Sequence, residues 1–377
     1  MKILYAASEA VPFCKTGGLA DVAGSLPAAL AAQGADVAVV LPLYQKVKEK
    51  FSDQLHFECY DYVDLAWRHS YCGLFSMERD GVTWYFLDNE QYFRRPELYG
   101  YMDDGERFGF FSRAVVRMLP HLRFWPEVIH CNDWHTGLMG VFLKEDFWHD
   151  DFYKGIKVIY TIHNLKYQGI YPPSIMRDII GLPQELFDNG SLECDGCVNY
   201  MKSGMVYADH ITTVSPSYAQ EITYPYFGEG LDGYIRDNGE KVTGIINGLD
   251  IDVYNPETDP YIKRQYSVAN ARAGKRENKD ALRAELGLRI KRGVPMIAMV
   301  TRLVEDKGLD LVTRIMDELV DDDVQLVLVG TGDAGYEEAF RELARRHPTK
   351  VSANITFNEA LAHKVYAAAD MFLMPSR

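Results

Sequence analysis

Lys2-Ile3-Leu4-Tyr5-Ala6 runs through Ala7-Ser8-Glu9-Ala10-Val11-Pro12-Phe13-Cys14 into Lys15-Thr16-Gly17-Gly18, and an alanine-rich run from Leu19 to Gln33 follows, closed by Gly34. The first five residues are an apolar run of strand length. Leu19 to Gln33 repeats apolar residues at helical spacing, and Gly34 supplies a helix-terminating glycine. Asp36-Val37-Ala38-Val39-Val40-Leu41-Pro42 then reads as a second buried strand, so the chain opens strand, loop, helix, strand, which is a parallel βαβ unit. The loop carries the interest. Its two glycines let a ligand touch the main chain, the helix behind them offers unpaired amides and a positive dipole end, and Lys15 adds a full charge. Lys-Thr-Gly-Gly is not the phosphate-loop pattern G-x-x-x-x-G-K-[ST], so a substrate loop stands beside the plainer reading of a glycine turn with a solvated lysine.

Working outward, 377 residues with 47% hydrophobic and 25% charged side chains describe two to three globular domains with a large buried core. Forty basic against 54 acidic residues give a net charge of -14, which argues against nucleic acid or an anionic membrane and suits a small ligand or neutral polymer. Any anion site must then be locally basic. No apolar run approaches the roughly 18 residues of a membrane span, and the opening apolar run is too short for a signal peptide, so a cytoplasmic protein is expected. The six cysteines are scattered and expected to be reduced. Cys194-Asp195-Gly196-Cys197 is a C-x-x-C, but a structural zinc site needs a second ligand pair and no redox fold is evident around it.

Leu55 to Leu87 alternates apolar and polar residues around Asp80-Gly81 and reads as an antiparallel insertion. Helices are expected over Arg107 to Leu122, Thr136 to Phe147, Tyr200 to Ala208 and Ser217 to Thr223. Strands are expected at Val128 to Cys131, Lys157 to Ile162, His210 to Val214 and Val242 to Ile246. Residues 247–279 are polar and broken by Pro256, Pro260 and Gly274, a linker pattern. A second βα series follows: strands Met296 to Thr301, Val324 to Val329, Ile355 to Phe357 and Met371 to Met374, with helices Leu309 to Leu319, Tyr336 to Arg346 and Leu361 to Ala369. The expected fold is α/β, with two doubly wound, Rossmann-like domains at 1–246 and 280–377.

In such sheets ligands collect at the carboxyl ends of strands. The residues there are Ser8-Glu9, Asn132-Asp133-Trp134-His135, His163-Asn164, Asn247-Gly248, Arg302 and Gly330-Thr331-Gly332-Asp333. Gly330 to Gly335 matches G-x-G-x-x-G, yet it follows the second strand after the linker, whereas a dinucleotide fingerprint belongs to the first. A turn that lets a nucleotide approach the backbone fits better than NAD. Arg302 and Lys307 converge on a helix start and could neutralise a diphosphate without a metal, or could pair with Glu305 and Asp306. Asp321-Asp322-Asp323 reads as a solvated turn rather than a metal site. His163 and Asp133 could be a catalytic base and its partner, or capping and core-satisfying groups.

Lys15-Thr16-Gly17-Gly18-Leu19-Ala20-Asp21-Val22, Asn132-Asp133-Trp134-His135, Thr161-Ile162-His163-Asn164-Leu165, Asn247-Gly248-Leu249-Asp250 and Thr301-Arg302-Leu303-Val304-Glu305-Asp306-Lys307-Gly308 occur in that order. Ala208 to Tyr218 and Phe357 to His363 support them. The order resembles the bacterial and plastid glycogen/starch synthases over essentially the whole chain. That resemblance implies a two-Rossmann glycosyltransferase whose cleft takes ADP-glucose, with UDP-glucose as the alternative donor. Glucose would pass with retention to the non-reducing end of an α-1,4-glucan such as glycogen, with no cofactor and no metal. It implies that Lys15, Arg302 and Lys307 hold the diphosphate, with Asp21 in the same loop motif. Gly17 and Gly18 would give close backbone contact, and Gly330 and Gly332 would border the nucleotide. His163 and Asn164 would face the transferred sugar, Asp133 and Tyr99 the donor-acceptor junction, and Asn247 the meeting of the domains. The retaining step it implies is front-face attack, the leaving phosphate accepting the acceptor's proton. Family members continue past Met374-Pro375-Ser376-Arg377 with a glutamate-bearing segment, so a form ending there is expected to transfer little glucose. The alternatives are a non-catalytic glucan- or nucleotide-sugar-binding fragment, or a phosphorylase or nucleotide-sugar epimerase of the same fold.

Overall fold

The computed structural model describes residues 1–376. The chain divides into two units, Met1–Gly248 and Leu249–Arg377. In the first, the strands are β1 (Lys2–Ala6), β2 (Asp36–Pro42), β3 (His56–Leu65), β4 (Arg68–Arg79), β5 (Val82–Asp88), β6 (Val128–Asn132) and β7 (Lys157–Ile162). After these come β8 (Ile170–Tyr171), β9 (Glu193–Cys194), β10 (Cys197–Asn199), β11 (His210–Thr213) and β12 (Val242–Gly244). Nine of them form one sheet in the order β12-β11-β7-β6-β1-β2-β5-β4-β3, and β8-β10-β9 form a small second sheet. Pairing is parallel from β12 to β5, and the last two pairings, β5 with β4 and β4 with β3, are antiparallel. β1 and β2 are almost wholly buried because helices cover both faces of a parallel sheet, which is why they read as continuous apolar runs. Asp80 and Gly81 close the β4–β5 hairpin with φ of 54° and 74°, the left-handed pair such a tight turn requires.

From β1 the chain goes to β2 on one side and later returns to β6 on the other. Strand order therefore reverses between β1 and β6, and their carboxyl ends are where sheets of this kind take their ligands. The loop quoted first above leaves one of those ends, and Asp133 leaves the other.

The second unit holds β13 (Met296–Val300), β14 (Gln325–Val329), β15 (Val351–Asn354) and β16 (Met371–Phe372), ordered β15-β14-β13-β16 and all parallel. Alternate residues divide its core. Ile297, Met299, Leu326 and Leu328 pack with Leu309, Val312, Phe340 and Leu343 of the helices Leu309–Asp321 and Ala334–Arg346. Met296, Ala298, Val327 and Val329 pack the other way, with Leu282 and Val365. Each fully buried large aliphatic contributes about 1.5–3 kcal/mol, so losing one layer would undo the sheet.

Beyond shifts of a few residues at element ends, the structure departs from the sequence reading in four places. Residues 271–279, expected to be linker, begin the helix Ala271–Glu285, which supplies Leu282 to that second layer. Its polar sequence hid it, because few of its residues face inward. Gly274 breaks nothing: a Cβ there would lie 2.3 Å from the Cβ of Tyr266, so the glycine admits the preceding segment. That segment is fastened by Asp259, whose Oδ2 lies 2.7 Å from His363 Nδ1, both side chains being buried. The strand expected at Ile355 to Phe357 lies earlier, at β15, because Val351 to Asn354 supply the residues in register with Leu326 to Val329, while Phe357 is exposed. The expected helix from Arg107 instead spans Asp104–Met118, with the buried Asp104 and Arg107 paired through Oδ1 and Nη1 at 2.5 Å. The small sheet β8-β10-β9 had no expected counterpart, its strands being too short to show a period.

Candidate active site

Beyond β1 the chain is organised by a buried carboxylate. Glu9, only 3% exposed, accepts the Thr16 backbone N–H at 2.5 Å and the Thr16 hydroxyl at 2.8 Å through Oε2. Burial pushes the Glu9 carboxyl up to about 7, the Thr16 bonds opposing this and the Asp133 charge adding to it. Glu9 thus pins the turn that presents Lys15, Gly17 and Gly18. Lys15 Nζ donates to Asp21 Oδ1 at 2.6 Å, an ion pair within the motif. Gly18 opens the helix Gly18–Ala32, and neither it nor Gly17 has a positive φ. A Cβ on Gly17 would meet nothing closer than 3.8 Å, and one on Gly18 would meet nothing within 4 Å. The chain's own packing has no need of these glycines, and the space over them is open.

Beyond β6 and β7, Asp133 takes φ 55° and ψ -179°, a conformation that costs a non-glycine residue about 1–3 kcal/mol. The strain aims its carboxylate at the next strand end: Oδ1 accepts the His163 N–H at 2.8 Å, and the Asn164 N–H also bonds the carboxylate. Burial raises Asp133 to about 7 against those two bonds. Asp133 therefore meets the main chain of His163, not its ring, and the two are not a base-and-carboxylate dyad. The ring bonds elsewhere, Nε2 lying 2.9 Å from Asn132 Oδ1. Asn132 Nδ2 is engaged with the Ala6 and His130 carbonyls at 3.0 and 3.3 Å, so its oxygen faces the ring and also accepts from Tyr5 OH at 2.9 Å. Nε2 thus carries the proton and Nδ1 is left as the acceptor. Burial lowers His163 to about 4, so the ring is neutral near neutral pH.

Tyr99 is brought to the same strand end, its hydroxyl 2.8 Å from Ser8 Oγ and its ring 4.4 Å from that of His135. The Arg107–Asp104 pair holds the segment around it: Arg107 donates to the Leu98 carbonyl at 3.1 Å, and Asp104 Oδ2 accepts the Gly100 and Tyr101 N–H groups at 2.8 and 3.2 Å. Asn247 is exposed just past β12, in the closing residues of this unit. Lys15, Gly17, Gly18, Asp21, Tyr99, Asp133, His163 and Asn164 are thus all gathered at the carboxyl ends of β1, β6 and β7 or on the elements beside them. Sequence reasoning noted Glu9 and Asn132 as polar strand-end residues and gave them no role. A carboxylate directly after a buried strand was the signal for Glu9.

In the second unit, Arg302 and Lys307 lie beyond β13 and share one carboxylate, Asp306, at 3.8 and 3.4 Å. Gly330 and Gly332 differ from the first pair of glycines. Gly330 has φ 157°, and its Cβ would fall 1.9 Å from the Thr301 carbonyl oxygen; that of Gly332 would fall 2.2 Å from the Leu303 carbonyl oxygen. Leu303 N–H bonds the Thr331 carbonyl at 2.9 Å, Asp333 N–H bonds the Leu303 carbonyl at 2.8 Å, and Glu337 accepts the Gly332 N–H at 3.0 Å. This turn is glycine-rich because the Arg302 loop lies against it. Among the described residues no three His, Cys, Asp or Glu side chains converge as a metal site, and no helix is long and apolar enough to cross a membrane.

The sheet order and these strand-end residues describe an α/β protein of two Rossmann-like units. Residues 2–237 match the family model described as starch synthase catalytic domain, and residues 294–377 that of glycosyl transferases group 1. The chain is 50% identical over 376 residues to the glycogen synthase of Bacillus cereus (strain B4264), covering 100% of this chain and 79% of that protein. It is 50% identical over 377 residues to the glycogen synthase of Clostridium beijerinckii, covering 100% of this chain and 78% of the relative. The catalytic domain of starch synthase IV from Arabidopsis thaliana, solved bound to ADP and acarbose, superposes with a TM-score of 0.91 at 29% identity, over 99% of this chain and 78% of that one. The chain belongs to the starch synthase catalytic-domain family, which includes the glycogen synthases.

Proposed function

We propose that this protein transfers glucose from ADP-glucose to the non-reducing end of an α-1,4-glucan, with retention of configuration, in the cytoplasm. The observation that carries the reading is the open Gly17-Gly18 turn at the head of a helix, with Lys15 beside it and the buried Glu9 beneath it, where strand order reverses. Lys15 in the first unit, and Arg302 and Lys307 in the second, are each assigned to the donor's diphosphate. Gly330 and Gly332 are assigned to the border of the nucleotide, in addition to their packing role. The Lys15–Asp21 pair is partly exposed, so its net worth is about 0–1 kcal/mol, against about 1.5–3 kcal/mol for a charge-assisted bond to a phosphate. Asp21 therefore holds the lysine ready and gives it up to the donor.

Breaking the anomeric bond puts negative charge on the leaving diphosphate and positive charge on the sugar. Fixed cations at the phosphates then stabilise the transition state more than the ground state, without a metal. Glu9 and Asp133 both hold backbone amides, so the roles assigned to them are positioning ones rather than that of a nucleophile forming a covalent glucosyl intermediate. This supports front-face attack, in which the departing phosphate takes the acceptor's proton. His163 and Asn164 position the sugar by hydrogen bonds, with Asp133 holding their loop and Tyr99 beside the acceptor.

The experiment is incorporation of labelled glucose from ADP-glucose into maltooligosaccharide. It is run with this chain and with a version carrying the C-terminal region of the Bacillus cereus relative, and UDP-glucose serves as the second donor. The extended version is expected to elongate the acceptor with linkages an exo-α-1,4-glucosidase removes, and to favour ADP-glucose. No incorporation by the extended version from either donor would refute the assignment.

A further inference from the structure

The glucosyl-transfer reading leaves Cys194-Asp195-Gly196-Cys197 unused. In the fold it is a hairpin. Cys194 and Cys197 are direct partners across β9 and β10, with Glu193 opposite Val198. Asp195 and Gly196 turn the chain at φ 49° and 76°. Positive φ at both central residues is the tight turn whose twist matches its strands. Residues that flank a two-residue turn are the hydrogen-bonded kind of antiparallel pair and share a face, with Cα atoms about 5.5 Å apart, inside the range of about 4.4–6.8 Å that a disulfide spans. Their Cβ atoms, about 4.5–5.5 Å apart in such pairs, close to the bridge's roughly 3.5–4.5 Å with added twist of the short hairpin. Both thiols are free and partly exposed, whereas Cys14, Cys72 and Cys131 are buried and Cys59 lies opposite Leu74. The register is fixed by other contacts: Gly196 N–H donates to Glu193 Oε1 at 2.7 Å, and Lys202 Nζ to the Glu193 carbonyl at 2.5 Å.

We infer that Cys194 and Cys197 form a reversible intrachain disulfide by exchange with a small-molecule disulfide or a dithiol-disulfide carrier protein. One cysteine thiolate attacks a sulfur of the external disulfide, forming a mixed disulfide and releasing one external thiolate. The second cysteine thiolate attacks the protein sulfur of that mixed bond, which closes the Cys194–Cys197 bridge and releases the other external thiolate. Two electrons pass to the external disulfide, and the two protons lost from the cysteines end on the two thiols it becomes. Burial and then the Asp195 carboxylate raise the Cys194 thiol, so closure quickens as pH rises.

So short a loop removes little entropy from the unfolded chain, and the consequence is local. β10 runs into Asn199, whose Nδ2 donates to Gln168 Oε1 at 2.5 Å, and the next two N–H groups, of Tyr200 and Met201, bond the Gly169 and Gln168 carbonyls at 3.0 Å. Gln168 lies in the loop that begins at His163. The bridge therefore stiffens the support of that loop.

The test treats the folded full chain with excess oxidised glutathione in mildly alkaline buffer, quenches with acid, alkylates, digests and weighs the peptides. The peptide carrying both cysteines should lose two hydrogens, resist alkylation and regain both thiols with dithiothreitol. Cys194→Ser and Cys197→Ser should each instead carry a single glutathione on the remaining cysteine. Amide exchange over residues 168–171 and 193–201 should slow in the oxidised chain. The inference fails if the wild-type peptide keeps two alkylatable thiols, carries two separate glutathiones, or is bridged to another cysteine. It fails equally if a bound zinc ion shields the pair.

Discussion

Two glycine turns follow strands and open helices in this protein, and they carry glycine for opposite reasons. At Gly330 and Gly332 the missing Cβ positions are filled by the chain's own backbone, the carbonyl oxygens of Thr301 and Leu303 lying within 1.9 and 2.2 Å of them. At Gly18 nothing lies within 4 Å, and the backbone is one that any residue adopts. Glycine in sequence is silent on which case holds. A turn stitched into its neighbours needs glycine in order to fold, while the open turn has no such need, and the donor proposed for it supplies the reason for its glycines. The Gly330 turn matches a well-known nucleotide fingerprint and the Gly17-Gly18 turn matches none, yet it is the latter whose space is unfilled.

The largest effect expected is at Lys15. In the version carrying the relative's C-terminal region, Lys15→Ala should lower kcat about 100- to 1000-fold, as removing one preorganised charge stabiliser does, while the urea midpoint stays put. Full turnover in the mutant would detach the open turn from the diphosphate. Next comes Gly330→Ala. With a Cβ forced onto a carbonyl oxygen, it should destabilise the second unit by about 1–3 kcal/mol in urea unfolding, the cost of overpacking. An unchanged midpoint would break the packing half of the comparison.

A smaller effect separates the two turns by pH. Glu9 under the first turn is raised to about 7 by burial, whereas Glu337 at the second is held below its ordinary value by the Gly332 N–H. Acidifying through pH 7 should protonate Glu9, weaken its hold on Thr16 and cut turnover toward tenfold per pH unit, with Glu9→Gln flattening that limb. Stability moves differently. Raised carboxyls such as Glu9 and Asp133 contribute stability fully present below their unfolded values near 4 and lost as pH rises through about 7. The lowered His163 opposes them, its contribution being present above about 6.5 and lost as pH falls toward 4. An acid limb in activity without a matching loss of stability down to about pH 6 would mark the turn, rather than the fold, as what titrates.

The order of strands and helices was legible because buried parallel strands are plainly apolar and their covering helices periodic, as in Lys2 to Pro42 and Met296 to Val329. Ala271–Glu285 escaped because a helix that buries only Gly274, Asn278, Leu282 and Arg283 looks like linker. β8 to β10 escaped because two or three residues cannot show alternation. Within the site, motif order brought out Lys15, Asp133 and His163, but their partners depend on three-dimensional detail. That Asp133 would bond the His163 amide rather than its ring follows from a φ of 55°, which no spacing reveals. The role of Glu9 needed the fold back from Thr16.

The most direct test sets Gly18→Ala against Gly332→Ala in the version carrying the relative's C-terminal region, reading the urea midpoint and the transfer rate from ADP-glucose on the same preparations. The account predicts that Gly18→Ala keeps its midpoint and loses about 10- to 100-fold in rate, because a methyl group displaces the donor. Gly332→Ala should instead lower the midpoint of the second unit, as a Cβ 2.2 Å from the Leu303 oxygen requires. A destabilised Gly18→Ala that transfers normally when folded, or a Gly332→Ala as stable as the wild type, would contradict it.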